Sequence, residues 1–427
     1  MGWEVLVGLF VLLIFLGVPI AFVIGIVSLL GIISIPFVPN ITVFMKMFYG
    51  LNSFVLLAIP LFVLAANLMN HGQITKMLID FCIALVGNIR GGLAHANILV
   101  SMIFAGVSGS AQADTAGVGN MLIPAMINTG YDKETSVGVT AASSTIGVII
   151  PPSIPMVVYA GLTNASVAAL FIGGMVPGIL IGFTMMAIIV WKGRKLNFPI
   201  YEKTARGEVW ALFKKSFPAL LAPVIIVGGI STGWYTPTEA AAFASIYSMF
   251  ISLFVYRTLK MRDMPGILKE TLKLSSLSLF ALATASALGE LLGYYKVSDH
   301  VAAFFMAYVS SASVFMMVVI VFFLFIGTFM DAIPAMILFT PVLLPIATSL
   351  GISSVHLGIV TVITLAIGLV TPPYGLCLLI ASSIADLSIE RSLMGVLPYI
   401  SSLLIILILV ALFPSIASFL PQLLGLM

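Results

Sequence analysis

The residues best suited to bind a small ion or an anion lie together in a glycine-rich stretch between Gly106 and Gly119. This stretch, GVSGSAQADTAGVG, carries four glycines together with Ser108, Ser110, Gln112, Asp114 and Thr115. Hydroxyl, carboxylate and carbonyl oxygens are ligands for hard cations, and free N–H groups at a helix start bind anions. Such groups become available only at turns and helix ends, because a regular helix uses its backbone groups internally. The stretch is therefore a candidate hairpin tip.

Asp114 has two possible roles in this tip. It could cap the returning helix by accepting backbone N–H groups, or it could contact an ion or a substrate. A carboxylate at mid-membrane costs roughly 2.5 to 3.5 kcal/mol on insertion scales, so it requires a wet site enclosed by protein. A second tip, GTFMDAIP, is less polar and carries Thr328 and Asp331.

Two proline pairs interrupt apolar stretches that follow the two tips. They occur in IGVIIPP, residues 146–152, and in IGLVTPP, residues 367–373. Proline removes N–H donors, so carbonyls upstream of each pair lose their helical partners. We expect free carbonyls near Gly147, Ile150, Gly368 and Thr371, and such oxygens suit Na⁺. The alternative is a simple kink relieved by neighbouring Ser or Thr side chains.

The elements that must position these residues are membrane helices. The chain has 427 residues, of which 61% are hydrophobic and 8% charged. A soluble protein needs roughly three times that charged fraction, which argues against a cytosolic enzyme, a nucleic-acid binder and a disordered chain. No Cys/His cluster, nucleotide loop or nucleophile elbow occurs, so we expect no enzyme. The predicted fold class is an all-α polytopic membrane protein.

The chain repeats itself at a constant offset of 221 residues. Between Phe104 and Pro177 the matching positions are mostly Gly and Pro, among them Gly106/Gly327, Pro124/Pro345, Gly147/Gly368 and Pro151/Pro372. Gly and Pro fix backbone geometry, so their register indicates shared bends rather than shared hydrophobicity. Each copy contains five spans and one hairpin, and an odd number of crossings inverts the second copy. Inverted repeats with broken helices are typical of secondary transporters.

The predicted organisation follows from this repeat. The first copy, 1–214, contains scaffold helices in 1–72, an arm helix at 73–90, a hairpin at 93–128, a broken helix at 134–165 and a helix at 168–191. The second copy, 215–427, contains scaffold helices in 217–292, an arm helix at 295–310, a hairpin at 313–349, a broken helix at 353–386 and a helix at 391–414.

The distribution of basic residues predicts the orientation. If both hairpins re-enter the membrane, 16 of the 18 Lys and Arg residues share one face, and only Lys46 and Lys296 lie on the other. The positive-inside rule makes the first face cytoplasmic and places both termini outside. The N-terminal ends of the half-helices would then converge on one cavity, where their positive dipole ends favour an organic anion.

Several motifs together resemble one known family over essentially the whole chain. They are GVSGSAQADTAG, SSTIGVIIPPSIP, TPTEAAAFA, GTFMDAIPAMILFTPVLLPI and GLVTPPYGLCL. This combination resembles the large membrane subunit of tripartite ATP-independent periplasmic (TRAP) transporters. The resemblance implies an elevator-type, Na⁺-coupled importer of the bacterial inner membrane. It also implies a separate small four-helix membrane subunit, a periplasmic binding protein, and substrates such as sialic acid or C4-dicarboxylates.

The resemblance also implies site residues. One Na⁺ would be held by Ser108 or Ser110 with Gly147, Ile150 and Pro152, and a second by Gly327, Gly368, Thr371 and Tyr374. For the organic anion we expect Ser108, Gly109, Asp114, Ser144, Thr145, Thr328, Asp331 and Pro372.

A stand-alone carboxylate symporter or cation/proton antiporter of related inverted-repeat fold is the alternative function. That alternative requires an accessible titrating carboxylate, and Asp114 is the residue on which it would depend.

Overall fold

The apolar stretches of the sequence fold into an all-helical protein. The computed structural model describes residues 2–200, 204–297 and 311–427, and no β-strand occurs in these ranges. Within them, seven helical segments are long and apolar enough to cross a membrane: Phe54–His71, Val167–Leu196, Arg206–Ser231, Pro237–Val255, Met261–Tyr294, Ala332–Ser349 and Ile389–Leu412. The predicted fold class, all-α and polytopic, is confirmed.

The described ranges contain the following α-helices in chain order. They are α1 (Trp3–Phe15), α2 (Ile20–Ile33), α3 (Ile41–Leu51), α4 (Ala58–His71), α5 (Ile74–Val86), α6 (Gly92–Ser108), α7 (Ala111–Asn128), α8 (Lys133–Ser144), α9 (Ile154–Thr163), α10 (Val167–Leu196), α11 (Arg206–Ser231), α12 (Pro237–Phe250), α13 (Met264–Tyr294), α14 (Ala312–Gly327), α15 (Ala332–Ser349), α16 (Ser354–Gly368), α17 (Leu376–Ala385), α18 (Ile389–Leu412) and α19 (Ser415–Leu423).

Several helices extend beyond the apolar segments that the sequence predicts. Helix α11, for example, begins at Arg206, whereas the scaffold helices of the second copy are predicted to begin at residue 217. Hydropathy marks only the apolar part of a helix, whereas a helix continues into charged turns that water can solvate. Helices α3 and α19 are further elements that the pattern does not single out. The predicted arm at 295–310 lies mostly outside the described residues.

Each hairpin is a helix pair joined by a short turn. Helices α6 and α7 are joined at Gly109, whose φ of +62° is a left-handed conformation that glycine adopts without penalty. Ser110 caps α7 by accepting the Ala113 N–H at 3.4 Å. In the second hairpin, Asp331 caps α15 by accepting the Ala332 N–H at 2.8 Å. The cap of α7 is therefore Ser110, and Asp114 lies four residues further along that helix.

Both proline pairs interrupt the helices completely. Helix α8 passes into a 3₁₀ turn at Thr145–Val148, and α9 begins only at Ile154. Ser153 joins the two ends, because its Oγ donates to Val148 O at 2.6 Å and accepts the Met156 N–H at 3.3 Å. Helix α16 likewise ends at Gly368, and α17 begins at Leu376. Each segment is a broken helix rather than a kinked one.

The helix boundaries repeat with the offset found in the sequence. Helices α7 and α15 begin at Ala111 and Ala332, and α8 and α16 begin at Lys133 and Ser354, so both pairs differ by 221 residues. The capping residues Ser110 and Asp331 are related by the same offset. Equal bounds follow naturally if the two hairpins and broken helices descend from one unit.

The two halves pack on each other reciprocally. Helix α7 of the first hairpin packs against α17 of the second broken helix, and α15 packs against α9 in the same way. Helix α8 crosses α18 at Gly138 and Gly395, where the two backbones touch without an intervening side chain. Lys133 Nζ donates to Ala385 O at 2.7 Å, and Arg391 forms an ion pair with Glu134. Each hairpin is thus held by elements of both halves.

The remaining helices pack around the hairpins and broken helices. Helix α13 packs against α2, α3, α4 and α15, and α12 packs against α4. Lys46 Nζ on α3 lies 2.8 Å from Glu290 Oε2 on α13. Large apolar side chains such as Trp234, which is 78% exposed, remain on the outer surface. An apolar outer surface of this kind suits contact with lipid.

Candidate ion and substrate site

The first hairpin tip rests on the first helix break. The Ile154 N–H donates to Gly109 O at 3.3 Å. A Cβ built on Gly109 would lie only 2.9 Å from Pro152 O, so a larger residue would push the tip away from the break. Ser108 Oγ donates to Asp114 Oδ1, and the Ser110 N–H donates to Ser108 Oγ at 3.3 Å. The hydroxyl, carboxylate and carbonyl groups predicted for this site are therefore close together.

The second hairpin tip lies against the second break. The Tyr374 N–H donates to Thr328 O at 2.9 Å. A Cβ on Gly368 would lie 2.7 Å from the carbonyl carbon of Gly327, so these two glycines meet backbone to backbone. The Gly368 carbonyl accepts the Thr371 N–H at 3.2 Å, and the expectation that it is free of partners is wrong. The chain tightens into a turn after α16 and thereby satisfies this carbonyl.

A single side chain links the two tips. Gln112 Nε2 at the start of α7 donates to Asp331 Oδ1 at 3.3 Å. Its Oε1 accepts the Ser110 hydroxyl at 3.1 Å, which orients the amide toward the second hairpin. The sequence places Gln112 in the polar tip but assigns it no contact with an ion or an anion. Its position in the polar tip, two residues after the cap Ser110, is the signal that could have identified it.

The other predicted substrate residues differ in accessibility. Ser144 and Thr145 are fully buried, and their hydroxyls donate to Thr140 O and Ala142 O of their own helix. They can therefore offer only oxygen lone pairs to a ligand. Thr328 and Pro372 are half-buried beside the second tip. The first break is enclosed, whereas the second reaches the surface.

A polar cleft of about 570 Å³ leads to the first tip. Its walls are formed by α4, α5, α7 and α13, and the lining includes Asn70, Lys76, Ser110, Gln112 and Glu270. Glu270 is engaged by His71 Nε2 at 2.9 Å on the same side of the molecule. The exposed ammonium of Lys76 and the side-chain amides can solvate an anionic group. The cleft thus provides a route, lined in part by polar side chains, between the surface and the first hairpin tip.

The first tip offers the better environment for a hard cation. The groups around it are oxygens, which Na⁺ prefers, and the Asp114 carboxylate lies directly against the backbone of Gly147. No group of three or more His, Cys, Asp or Glu residues that could hold a transition metal occurs in the part of the chain that the structure describes. Cys82 and Cys377 are both buried free thiols.

We expect Gln112→Ala to loosen the contact between the hairpins without unfolding the protein. An exposed or half-buried hydrogen bond of this kind contributes about 0.5 to 1.5 kcal/mol. Distances between spin labels on the two tips should therefore show a broader distribution in the variant than in the wild type. Gln73→Ala, which alters an exposed amide on the same cleft, is the control. Unchanged distance distributions would show that the Gln112–Asp331 bond does not hold the tips.

The fold and the site together define a class of protein. Helices long enough to cross a membrane surround two hairpin tips that meet at broken helices, and a polar cleft reaches one of the tips. This arrangement is that of a membrane transport protein with its binding site between hairpins and interrupted helices.

The chain belongs to the DctM component family of the tripartite ATP-independent periplasmic transporters, since the sequence model of that family matches residues 7–416. It is 36% identical over 411 residues to the sialic acid TRAP transporter large permease protein SiaM of Vibrio cholerae, covering 96% of each chain. It is 35% identical to the C4-dicarboxylate large permease protein DctM of Rhodobacter capsulatus, covering all of both chains. The DctM protein of Pseudomonas aeruginosa is 39% identical, with 89% of each chain covered.

A solved structure shares the fold at low sequence identity. The YdaH transporter of Alcanivorax borkumensis superposes with a TM-score of 0.64 over 88% of this chain and 87% of its own, at 14% identity. Together with the apolar helices, the family membership indicates a multi-pass protein of the inner membrane. The family is one of transport permeases.

Proposed function

We propose that the chain is the large permease subunit of a Na⁺-coupled importer for an organic anion. The observation that carries the proposal is the meeting of the two hairpin tips, joined by Gln112 and Asp331, beside two broken helices. Unwound chain between hairpins is where transporters bind both substrate and coupling ion. The names of the sialic acid and C4-dicarboxylate relatives support a carboxylate as the substrate.

Two cation sites are proposed, one in each half. The first consists of Ser108 or Ser110 with Gly147, Ile150 and Pro152, and the second of Gly327, Gly368, Thr371 and Tyr374. Support for the first site is the cluster of oxygen atoms formed by the Ser108 hydroxyl and the Asp114 carboxylate against the backbone of Gly147. Na⁺ bound there would lend positive charge to the tips and thereby favour the binding of an anion.

The organic anion would bind between the tips. Its proposed ligands are Ser108, Gly109, Ser144, Thr145, Thr328, Asp331 and Pro372. The N-termini of α7 and α15 support this placement, because the positive ends of both helix dipoles lie at the tips. The cleft lined by Lys76 would be the route by which the anion reaches the cytoplasm.

The transport movement is proposed to be an elevator. The hairpins and broken helices would move as one group, since they pack reciprocally across the two halves, while the helices around α13 act as the scaffold. The two halves, 1–214 and 215–427, are proposed to be inverted copies with both termini in the periplasm. A small four-helix membrane subunit would brace the scaffold, and a periplasmic binding protein would deliver the anion.

Transport in proteoliposomes tests the proposal. With the small subunit and a loaded binding protein present, we expect uptake of sialic acid or a C4-dicarboxylate only under an inward Na⁺ gradient. Replacing Na⁺ by choline at equal ionic strength should reduce uptake to background, because no other cation replaces the coupling ion.

Two results would contradict the proposal. Equal uptake in choline would exclude Na⁺ coupling. Uptake by the large subunit alone, at a rate similar to that of the complete system, would favour a stand-alone symporter and remove the requirement for a binding protein.

A further inference from the structure

Asp114 is the only Asp, Glu, Lys or Arg residue that is buried in the described part of the chain. It is fully buried, and its Oδ1 is hydrogen-bonded by Ser108 Oγ. Its Oδ2 is buried as well but has no hydrogen-bond partner among the described residues. A buried carboxylate oxygen without a partner is rare in folded proteins, since burial removes it from water without compensation.

The protein itself does not neutralise this charge within the described ranges. None of the ion pairs found there, which involve Glu290, Glu270, Asp263 and Glu134, includes Asp114. A buried charge is normally paired or coordinated to a metal ion. An organic anion would add a second negative charge next to this unpartnered oxygen, whereas Asp331 already accepts N–H donors from Gln112 and Ala332. Asp114 therefore does not suit the role of substrate ligand expected from the sequence.

The unpartnered Asp114 Oδ2 faces Gly147 in the first helix break. A Cβ on Gly147 would overlap Asp114 Oδ2, so the carboxylate lies directly against the first helix break. Ser108 lies on the other side of the same carboxylate. Asp114 Oδ2 therefore lies beside Ser108 and Gly147, which are proposed to bind the first Na⁺. Asp114 is the residue of this group that carries a carboxylate.

We propose that Asp114 is a ligand of this Na⁺ through Oδ2 and supplies the negative charge that balances it. The proposal rests on the Na⁺ coupling proposed above and changes the role of Asp114 from contact with the organic anion to contact with the cation. Hydroxyl and carbonyl oxygens alone bind Na⁺ as dipoles, whereas a carboxylate adds a full charge in a medium of low dielectric constant. Loss of this charge should therefore weaken Na⁺ binding more than loss of a hydroxyl.

The alternative is that Asp114 serves the fold only, as a hydrogen-bond partner of Ser108. The two roles predict opposite results for Asp114→Asn. Asparagine has nearly the same shape and keeps an oxygen for Ser108, so a purely structural role would leave the response to Na⁺ unchanged. A charge-balancing role would weaken that response even though the protein folds.

Thermal unfolding of the full chain in lipid nanodiscs tests the proposal without transport activity. The unfolding midpoint is measured against increasing NaCl, with choline chloride keeping the ionic strength constant, for the wild type, Asp114→Asn and Asp386→Asn. Asp386 is an exposed carboxylate at the end of α17 and serves as the matched control. We expect Na⁺ to stabilise the wild type and the control, because a ligand that binds the native state raises its stability.

For Asp114→Asn we expect the Na⁺ concentration at half-maximal stabilisation to rise at least about tenfold, which corresponds to about 1.4 kcal/mol of binding free energy. The same Na⁺ dependence as in the wild type would overturn the role of Asp114 while leaving Na⁺ coupling intact. A variant that does not fold in choline would also overturn it, because the fold and not the ion would then need the carboxylate. A wild type that Na⁺ does not stabilise would instead contradict the proposed coupling itself.

Discussion

Gly147→Ala is expected to reduce Na⁺-dependent transport to less than about a tenth of the wild-type rate. The backbone of Gly147 has no positive φ, so alanine is compatible with the 3₁₀ turn and only space decides the outcome. An added methyl group would overlap the buried Asp114 carboxylate, which is short and enclosed and has little room to move. Overpacking of this kind costs about 1 to 3 kcal/mol and would displace the oxygens of the proposed cation site.

Uptake into proteoliposomes and the thermal unfolding midpoint together check this prediction. Gly289→Ala is the matched control, since a Cβ at Gly289 meets no atom within 4 Å. The double variant Gly147→Ala/Asp114→Ala separates the causes. Removing the carboxylate relieves the overlap and should restore stability, but transport should remain lost because the charge is missing. Restored transport in the double variant would contradict an ion-binding role for this pair.

Gly395→Ala is expected to cause a large loss of stability. Its Cβ would overlap the Glu134 carbonyl oxygen and lie 2.7 Å from the Glu134 carbonyl carbon. These are backbone atoms of α8, so the overlap can be relieved only by moving an entire helix. Small residues permit such close approach of membrane helices, and packing rather than hydrophobicity holds them together. We expect a loss of about 3 kcal/mol or more.

The measurement for Gly395→Ala is the unfolding midpoint in detergent or nanodiscs. Gly228→Ala on α11 is the control, because that glycine also has open space around it. In a helix interior without a clash, alanine is favoured over glycine, so the control should match the wild type or exceed it. A Gly395→Ala protein as stable as the control would mean that α8 and α18 are not in direct backbone contact.

The positions of the tips and breaks could be predicted because Gly and Pro act locally. A proline pair removes donors wherever it occurs, and the offset of 221 residues relates Pro151 to Pro372 whatever the tertiary structure. The structure accordingly begins new helices at Ile154 and Leu376, close after each pair. The caps themselves, Ser110 and Asp331, were not predicted, since the sequence analysis considered Asp114 as the cap of the returning helix.

The contacts between distant residues could not be predicted in this way. The bond from Gln112 to Asp331 and the contact of Gly147 with Asp114 depend on how closely separate helices approach, and no local pattern encodes that distance. Helix α3 was equally hard to recognise, because its 11 residues are too few to span a membrane. Its fit against α13, including the Lys46–Glu290 ion pair, is a tertiary feature.

The reciprocal packing of α7 on α17 and of α15 on α9 has a consequence for how this chain could have changed after duplication. If the two halves arose by duplication, each copy now packs a hairpin helix against the broken helix of the other. A substitution that changes the shape of one hairpin therefore alters its contacts with the opposite half. We expect the two halves to have diverged in charge, as Ser110 and Asp331 have, while their paired surfaces changed only in concert.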